Sequence, residues 1–216
     1  MAPTSSSEHR AAALPAIVLG IITAVALVCA AFAPSTAHAA GWNAEPTARQ
    51  LERLSRSEPY VRYFASLRYG RHGAQIPAEY IRALILTESG ANAAAVSGAG
   101  ALGLTQIMPR TAAAVVREIL AEGTDYLFID EEGLESFEPE DLFDPALNIL
   151  IACRLSSEYF LRWDGSTDHV VAAWNAGPTA VRRHGNRPPP YRETLDLISR
   201  VKSYMDFLEN SYALAY

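Results

Sequence analysis

Residues 76–112 read IPAEYIRALILTESGANAAAVSGAGALGLTQIMPRTA. Pro77 can open a helix, because its fixed φ suits a first turn that has no use for its missing N–H. Gly90 can close that helix after Ser89 in the left-handed conformation. Between them, Glu88 lies seven, four and three residues after Ile81, Leu84 and Ile85. On an α-helix these four positions form one stripe, so the sequence puts a carboxyl group on the face that packs inward. An ionised carboxylate without a partner is costly there, and its pKa should rise. The last turn of the helix is also the negative end of its dipole, which acts in the same direction. A carboxyl held neutral near pH 7 can serve as a general acid. The alternative is a glutamate that bends to solvent or pairs with Arg82.

The pattern on both sides is helical. Glu45 to Leu54 is a first helix, and Pro59 opens a second with Tyr60, Val61, Phe64 and Leu67 on one face, ended by Gly70 and Gly73. After Glu88 comes a loop from Gly90 to Gly103, in which Gly98, Gly100 and Gly103 permit turns. Thr111 can cap a helix to Glu122, and Asp144-Pro145 makes an N-cap and first-turn pair for one running to about Phe160. Thr167 to Trp174 is another, Gly177-Pro178 starts a short one, and Tyr191 onward is the last, after the rigid Pro188 to Pro190. The one strand candidate is Tyr126 to Ile129. The architecture expected is mainly α in a single domain, with a lead-in at 40–58, the domain at 59–210 and an acidic insert around 123–143.

The 216 residues carry a net charge of -6, which argues against nucleic acid as a partner. The segment from Asp130 to Asp144 holds eight acids and no base; without them the chain would be near +2. It reads as a solvated acidic loop with a short helix. A calcium site is the other reading, although the spacing does not match the D-x-D-x-D-G loop. His169 and His184 stand alone, without ligand spacing, so no metal and no cofactor are expected. Residues 1–39 look like an export signal. Leu14 to Ala33 is uncharged and apolar, Pro34 breaks it, and Ala37-His38-Ala39 offers a cleavage site. The run is also long enough to span a bilayer, so an uncleaved anchor is the rival. Either way the folded part is expected in the periplasm or cell envelope. With Cys29 in that segment, Cys153 is alone, in an apolar helical run where a buried thiol acts as a small hydrophobe.

Four motifs in order resemble the lytic transglycosylases that share the goose-type lysozyme fold. These are Glu88-Ser89 with Ala95-Val96-Ser97; Gly103-Leu104-Thr105-Gln106-Ile107-Met108-Pro109; Leu142-Phe143-Asp144-Pro145 with Asn148-Ile149; and Ala173-Trp174-Asn175-Ala176-Gly177-Pro178. Pro190-Tyr191-Arg192-Glu193-Thr194 resembles the segment that closes the site, and the resemblance covers about residues 59–205. It implies a lysozyme-like helical domain with a groove for peptidoglycan strands. Glu88 would be the catalytic acid. Ser89, Gln106, Met108, Trp174, Asn175 and Tyr191 are the candidate substrate-binding residues by their side-chain chemistry; a helix cap for Ser89, loop bracing for Gln106 and Asn175, and packing for Trp174 and Met108 are the alternatives. Two positions depart from the pattern. Trp174 stands where many members have Tyr. Leu197 stands where the family often has a Tyr thought to touch the acid, leaving Tyr191 and Ser199 as candidate hydroxyls.

Most glycosidases use two carboxyl groups. No second carboxylate of comparable placement is evident, and the loop from Gly90 to Gly103 contains no acid. The resemblance implies a route with one acid, in which Glu88 cleaves the bond after N-acetylmuramic acid and closes a 1,6-anhydro ring without water. The rivals are a muramidase of the same fold and a wall-binding scaffold; a factor that opens the wall for a secretion or conjugation machine is a further role compatible with the enzyme reading. A monomer is expected.

Overall fold

The computed structural model describes residues 45–70, 73–123 and 125–213. The expected export segment, residues 1–39, and residues 40–44 lie outside these. Eight α-helices follow one another among the described residues: α1 Ala48–Ser66, α2 Ala78–Ser89, α3 Pro109–Glu122, α4 Glu131–Glu135, α5 Pro145–Arg162, α6 Thr167–Ala176, α7 Pro178–Arg183 and α8 Arg192–Ala213. A 3-10 helix, Pro139–Phe143, precedes α5. The fold is mainly α, as the sequence implies. Among the described residues the β structure consists of isolated bridges, Val96 to Leu102 and Leu102 to Ile107. Tyr126 to Ile129 is not a strand: Leu127 and Phe128 form a turn, and Phe128 has φ 75°.

α5 runs through the middle. Asp144 caps it by accepting from the N–H groups of Ala146 (2.6 Å) and Leu147 (3.2 Å), and Pro145 occupies the first turn. Ala146 through Cys153 are all buried, as befits a stretch that is apolar nearly all round. α5 packs against α1, α2, α3 and α6. α2 lies beside it, between α1 and α8. Tyr80 through Thr87 are all buried, so α2 is enclosed on every face and not along one stripe alone.

α1 differs from the two helices expected around Pro59. Thr47 and Gln50 form a reciprocal cap, with Gln50 N donating to Thr47 Oγ1 (3.3 Å) and Thr47 N to Gln50 Oε1 (2.8 Å). The helix then runs unbroken through Pro59. Pro59 and Ser55, whose carbonyl it leaves without its helical partner, are both exposed, on a face of the helix where that carbonyl can reach water. Leu54 and Ser57 before it and Val61 and Phe64 after it are buried, and this packing holds both halves on one axis. α3 also starts earlier than expected: Met108 is the N-cap and Pro109 the first residue, so Thr111 is not the cap.

The acidic insert packs at the C-terminal half of α1. The Phe128 ring meets Tyr60 and Tyr63 edge-on at 5.2 and 5.6 Å, and Leu127 N donates to the Tyr63 hydroxyl (3.0 Å). Asp130 caps α4 through Gly133 N (3.3 Å), and Asp141 accepts from Glu138 N (2.7 Å). These acids hold local turns, consistent with the loop reading. Ser66, at the end of α1, and Pro77, before α2, line one concavity, whereas Gln50, near the start of α1, meets Gly90. The two helices are therefore antiparallel, and the insert sits at the end of the fold away from Glu88.

Candidate active site

Glu88 stands in the last turn of α2, one residue before Ser89 and the left-handed Gly90 (φ 60°), whose N–H returns to the carbonyls of Ile85 and Leu86. Its side chain is partly buried. Arg82 is engaged elsewhere. Its guanidinium bonds Glu58 of α1 through Nε (3.0 Å) and a terminal nitrogen (2.6 Å), and Glu79 (3.0 Å). The pairing of Glu88 with Arg82 that the sequence left open does not form. Instead Trp174, in the last turn of α6, donates its indole Nε1–H to Glu88 Oε1 at 3.0 Å. α6 ends at Ala176, two residues beyond the expected Trp174.

Burial pushes the Glu88 pKa up. The charge of Arg200 and the Trp174 hydrogen bond pull it down, and the charge of Glu193 pushes it up again; it comes to rest at about 7. A group at that value is partly protonated at neutral pH, so it can both give and take a proton. Sequence reasoning missed Glu193 and Arg200. The signal was present, since Glu193, Leu197 and Arg200 are spaced four and three residues apart on α8 and share a face. Leu197 is buried in that face. The donor on Glu88 is thus an indole N–H; neither Tyr191 nor Ser199 supplies a hydroxyl. Glu193 is exposed, unlike Glu88.

The loop that follows is fastened from beneath. Asn148 of α5 is fully buried and uses its whole amide. Nδ2 donates to the carbonyls of Leu102 (3.2 Å) and Leu142 (2.9 Å), and Oδ1 accepts from Thr105 N (3.0 Å) and Oγ1 (2.7 Å). Gly103 has φ 76°, and a Cβ there would run into the Leu142 carbonyl and the Asn148 amide. Ser89 Oγ donates to the Leu104 carbonyl (2.7 Å) and accepts from Asn92 N (3.1 Å). Gln106, itself at φ 51°, donates to the carbonyls of Gly103 (2.9 Å) and Ala95 (3.2 Å).

The other expected substrate groups are placed as follows. Asn175 donates to Glu193 Oε1 (3.2 Å) and accepts from the buried Thr194 hydroxyl (2.6 Å), which ties α6 to the start of α8. Tyr191 is exposed, with its ring edge-on to His184 at 5.4 Å. Met108 is partly exposed at the start of α3. Ser89, Gln106 and Asn175 therefore brace the site through protein partners, while Tyr191 and Met108 present surface.

The transglycosylase SLT domain, as a family model, matches residues 68–194, from the end of α1 into α8 and across Glu88. The chain belongs to this family. The soluble lytic murein transglycosylase of Escherichia coli strain K12 is 33% identical over 110 residues, or 51% of this chain and 15% of that relative. The matched stretch is thus a small part of the relative's length. Among solved structures, the 70 kDa soluble lytic transglycosylase from Escherichia coli aligns with TM-score 0.54 and 28% identity, over 68% of this chain and 23% of that one. The 70 kDa soluble lytic transglycosylase in complex with bulgecin A gives 0.59 and 26%, over 74% and 25%. Slt from Pseudomonas aeruginosa, in an inactive mutant form, is 22% identical with TM-score 0.53, over 76% of this chain and 24% of that one, and supports the fold alone. The SLT domain here is thus the lysozyme-like helical fold, with Glu88 at the end of α2.

Proposed function

We propose that this SLT-domain protein is an exported peptidoglycan lytic transglycosylase with Glu88 as its acid and base. The observation that carries the reading is the Glu88 carboxyl, outside any ion pair with Arg82, held by Trp174 and raised to about 7. In the first step Glu88 gives its proton to the glycosidic oxygen between N-acetylmuramic acid and N-acetylglucosamine, and the bond to the anomeric carbon breaks. The sugar's own N-acetyl group assists at that carbon. Glu88, now a carboxylate, takes the proton of the C6 hydroxyl, and the C6 oxygen closes a 1,6-anhydro ring. Water is not consumed, and Glu88 ends as it began. Ser89, Gln106 and Asn175 hold the loop and α8 in place around the glycan, Tyr191 and Met108 lie along its path, and Trp174 holds the Glu88 carboxyl. Glu193 favours a second reading, a muramidase that uses water, because it brings another carboxylate within electrostatic reach of Glu88.

The test is digestion of purified peptidoglycan by the wild type and by Glu88→Gln, with products read by mass spectrometry. Anhydro-muropeptides from the wild type alone are the expected result. Reducing ends without the anhydro bridge would make the protein a muramidase, and no product from a folded wild type would leave a glycan-binding scaffold.

A further inference from the structure

The partner of Glu88 differs in kind from a hydroxyl. An indole N–H donates and cannot accept, whereas a hydroxyl does both. Trp174 Nε1 stands 3.0 Å from Glu88 Oε1. In the neutral carboxyl the carbonyl oxygen is a better acceptor than the hydroxyl oxygen, so a donor fixed on Oε1 favours the form with its proton on the other oxygen. We propose that Trp174 is a positioning residue whose N–H reserves Glu88 Oε2 as the oxygen that gives and takes the proton. The inference rests on the reading of Glu88 as the proton donor. The Oε2 proton goes to the glycosidic oxygen as that bond breaks, and the C6 hydroxyl proton later returns to Oε2.

The surroundings fix the indole for this task. Trp174 packs against the core, and its neighbour Asn175 is tied to Glu193 and Thr194 of α8. α8 in turn packs on α2, which carries Glu88. The turn that aims the indole is therefore held to the helix beside its target. The other groups facing Glu88 are Arg200 and Glu193 of α8 and the buried Tyr80 hydroxyl of α2. The two α8 charges act on the carboxyl as a whole. The N–H acts on one named oxygen.

Trp174→Phe keeps a packed ring and removes the donor. Losing a hydrogen bond to the charged form raises the Glu88 midpoint, by about one pH unit, in a carboxyl carbon NMR titration. The pH profile of kcat moves with it, while KM for glycan changes by less than about threefold. In the wild type, the Trp174 indole N–H resonance shifts with the same midpoint as Glu88, and Glu88→Gln abolishes that shift. An unmoved midpoint together with a large rise in KM would overturn the inference and make Trp174 a sugar platform. If Trp174→Phe does not fold, the wild-type indole decides: a resonance that ignores pH across the Glu88 transition refutes the inference. Neither NMR readout needs cleavage, so a failure of the transglycosylase reading would show separately, in the digest.

Discussion

Glu58 and Glu88 sit on adjacent antiparallel helices, both partly buried, and their protons behave in opposite ways. Burial pushes both pKa values up. At Glu58 the Arg82 guanidinium, through two hydrogen bonds and its charge, more than reverses this, with help from Arg62, and the carboxyl titrates below its ordinary value. At Glu88 a neutral indole donor and the charge of Arg200 offset burial only in part, and the value stays at about 7. Enclosure alone does not make a proton donor. What matters is which neighbour is withheld, and on α2 the arginine is turned toward α1.

The comparison breaks most visibly in activity. Glu88→Gln should lower kcat by about a thousandfold, the scale of a lost general acid, whereas Glu58→Gln should keep most activity where both variants are folded. A steady-state assay on peptidoglycan checks this. Next in size is Arg82→Met. It leaves Glu58 with only the exposed Arg62 as a cationic partner (3.0 Å), at a cost of about 2–3 kcal/mol measurable by urea denaturation, and it should raise the Glu58 pKa while leaving Glu88 near its present value. Gly103→Ala probes the fastening of the loop after Glu88. A side chain at φ 76° facing Leu142 and Asn148 should cost about 2 kcal/mol or more, and activity should fall by more than the unfolded fraction explains.

The smallest effect has opposite signs at the two glutamates. The folded-state pKa of Glu88 is raised, so ionising it opposes folding, and that cost grows as pH rises from about 4.5 to about 7. Glu88→Gln should therefore stabilise the protein by roughly 1–3 kcal/mol at pH 8 and by nothing at pH 4. The Glu58 pKa is lowered, so its stabilisation is present above the unfolded-state value and is lost as pH falls through the folded one. Glu58→Gln should be destabilising at pH 8 and neutral in acid. Urea melts of the three proteins at both pH values would show whether the signs differ.

The helix that carries Glu88 was legible because its cues are local: Pro77 and Gly90 bound it, and the 3.6-residue period puts Glu88 with Ile81, Leu84 and Ile85. Asp144-Pro145 gave the start of α5 for the same reason. Pro59 misled, because what carries α1 through it is burial of Leu54, Val61 and Phe64 against other helices, which proline's local preference does not report. The Trp174 role was hidden differently. The sequence supplies an aromatic ring, and only the packing of α6 near α2 shows that its N–H points at Glu88. The Asn148 clamp joins residues 43 and 46 positions apart, beyond the reach of any periodicity.

The central claim is that one enclosed glutamate keeps its proton near neutral pH while its neighbour does not. Carboxyl carbon NMR on the protein, with Glu58→Gln and Glu88→Gln used for assignment, measures both groups in one titration. The account predicts a Glu88 midpoint at about 7 and a Glu58 midpoint below the ordinary glutamate value. A Glu88 midpoint at about 4.3, the ordinary value, would contradict it.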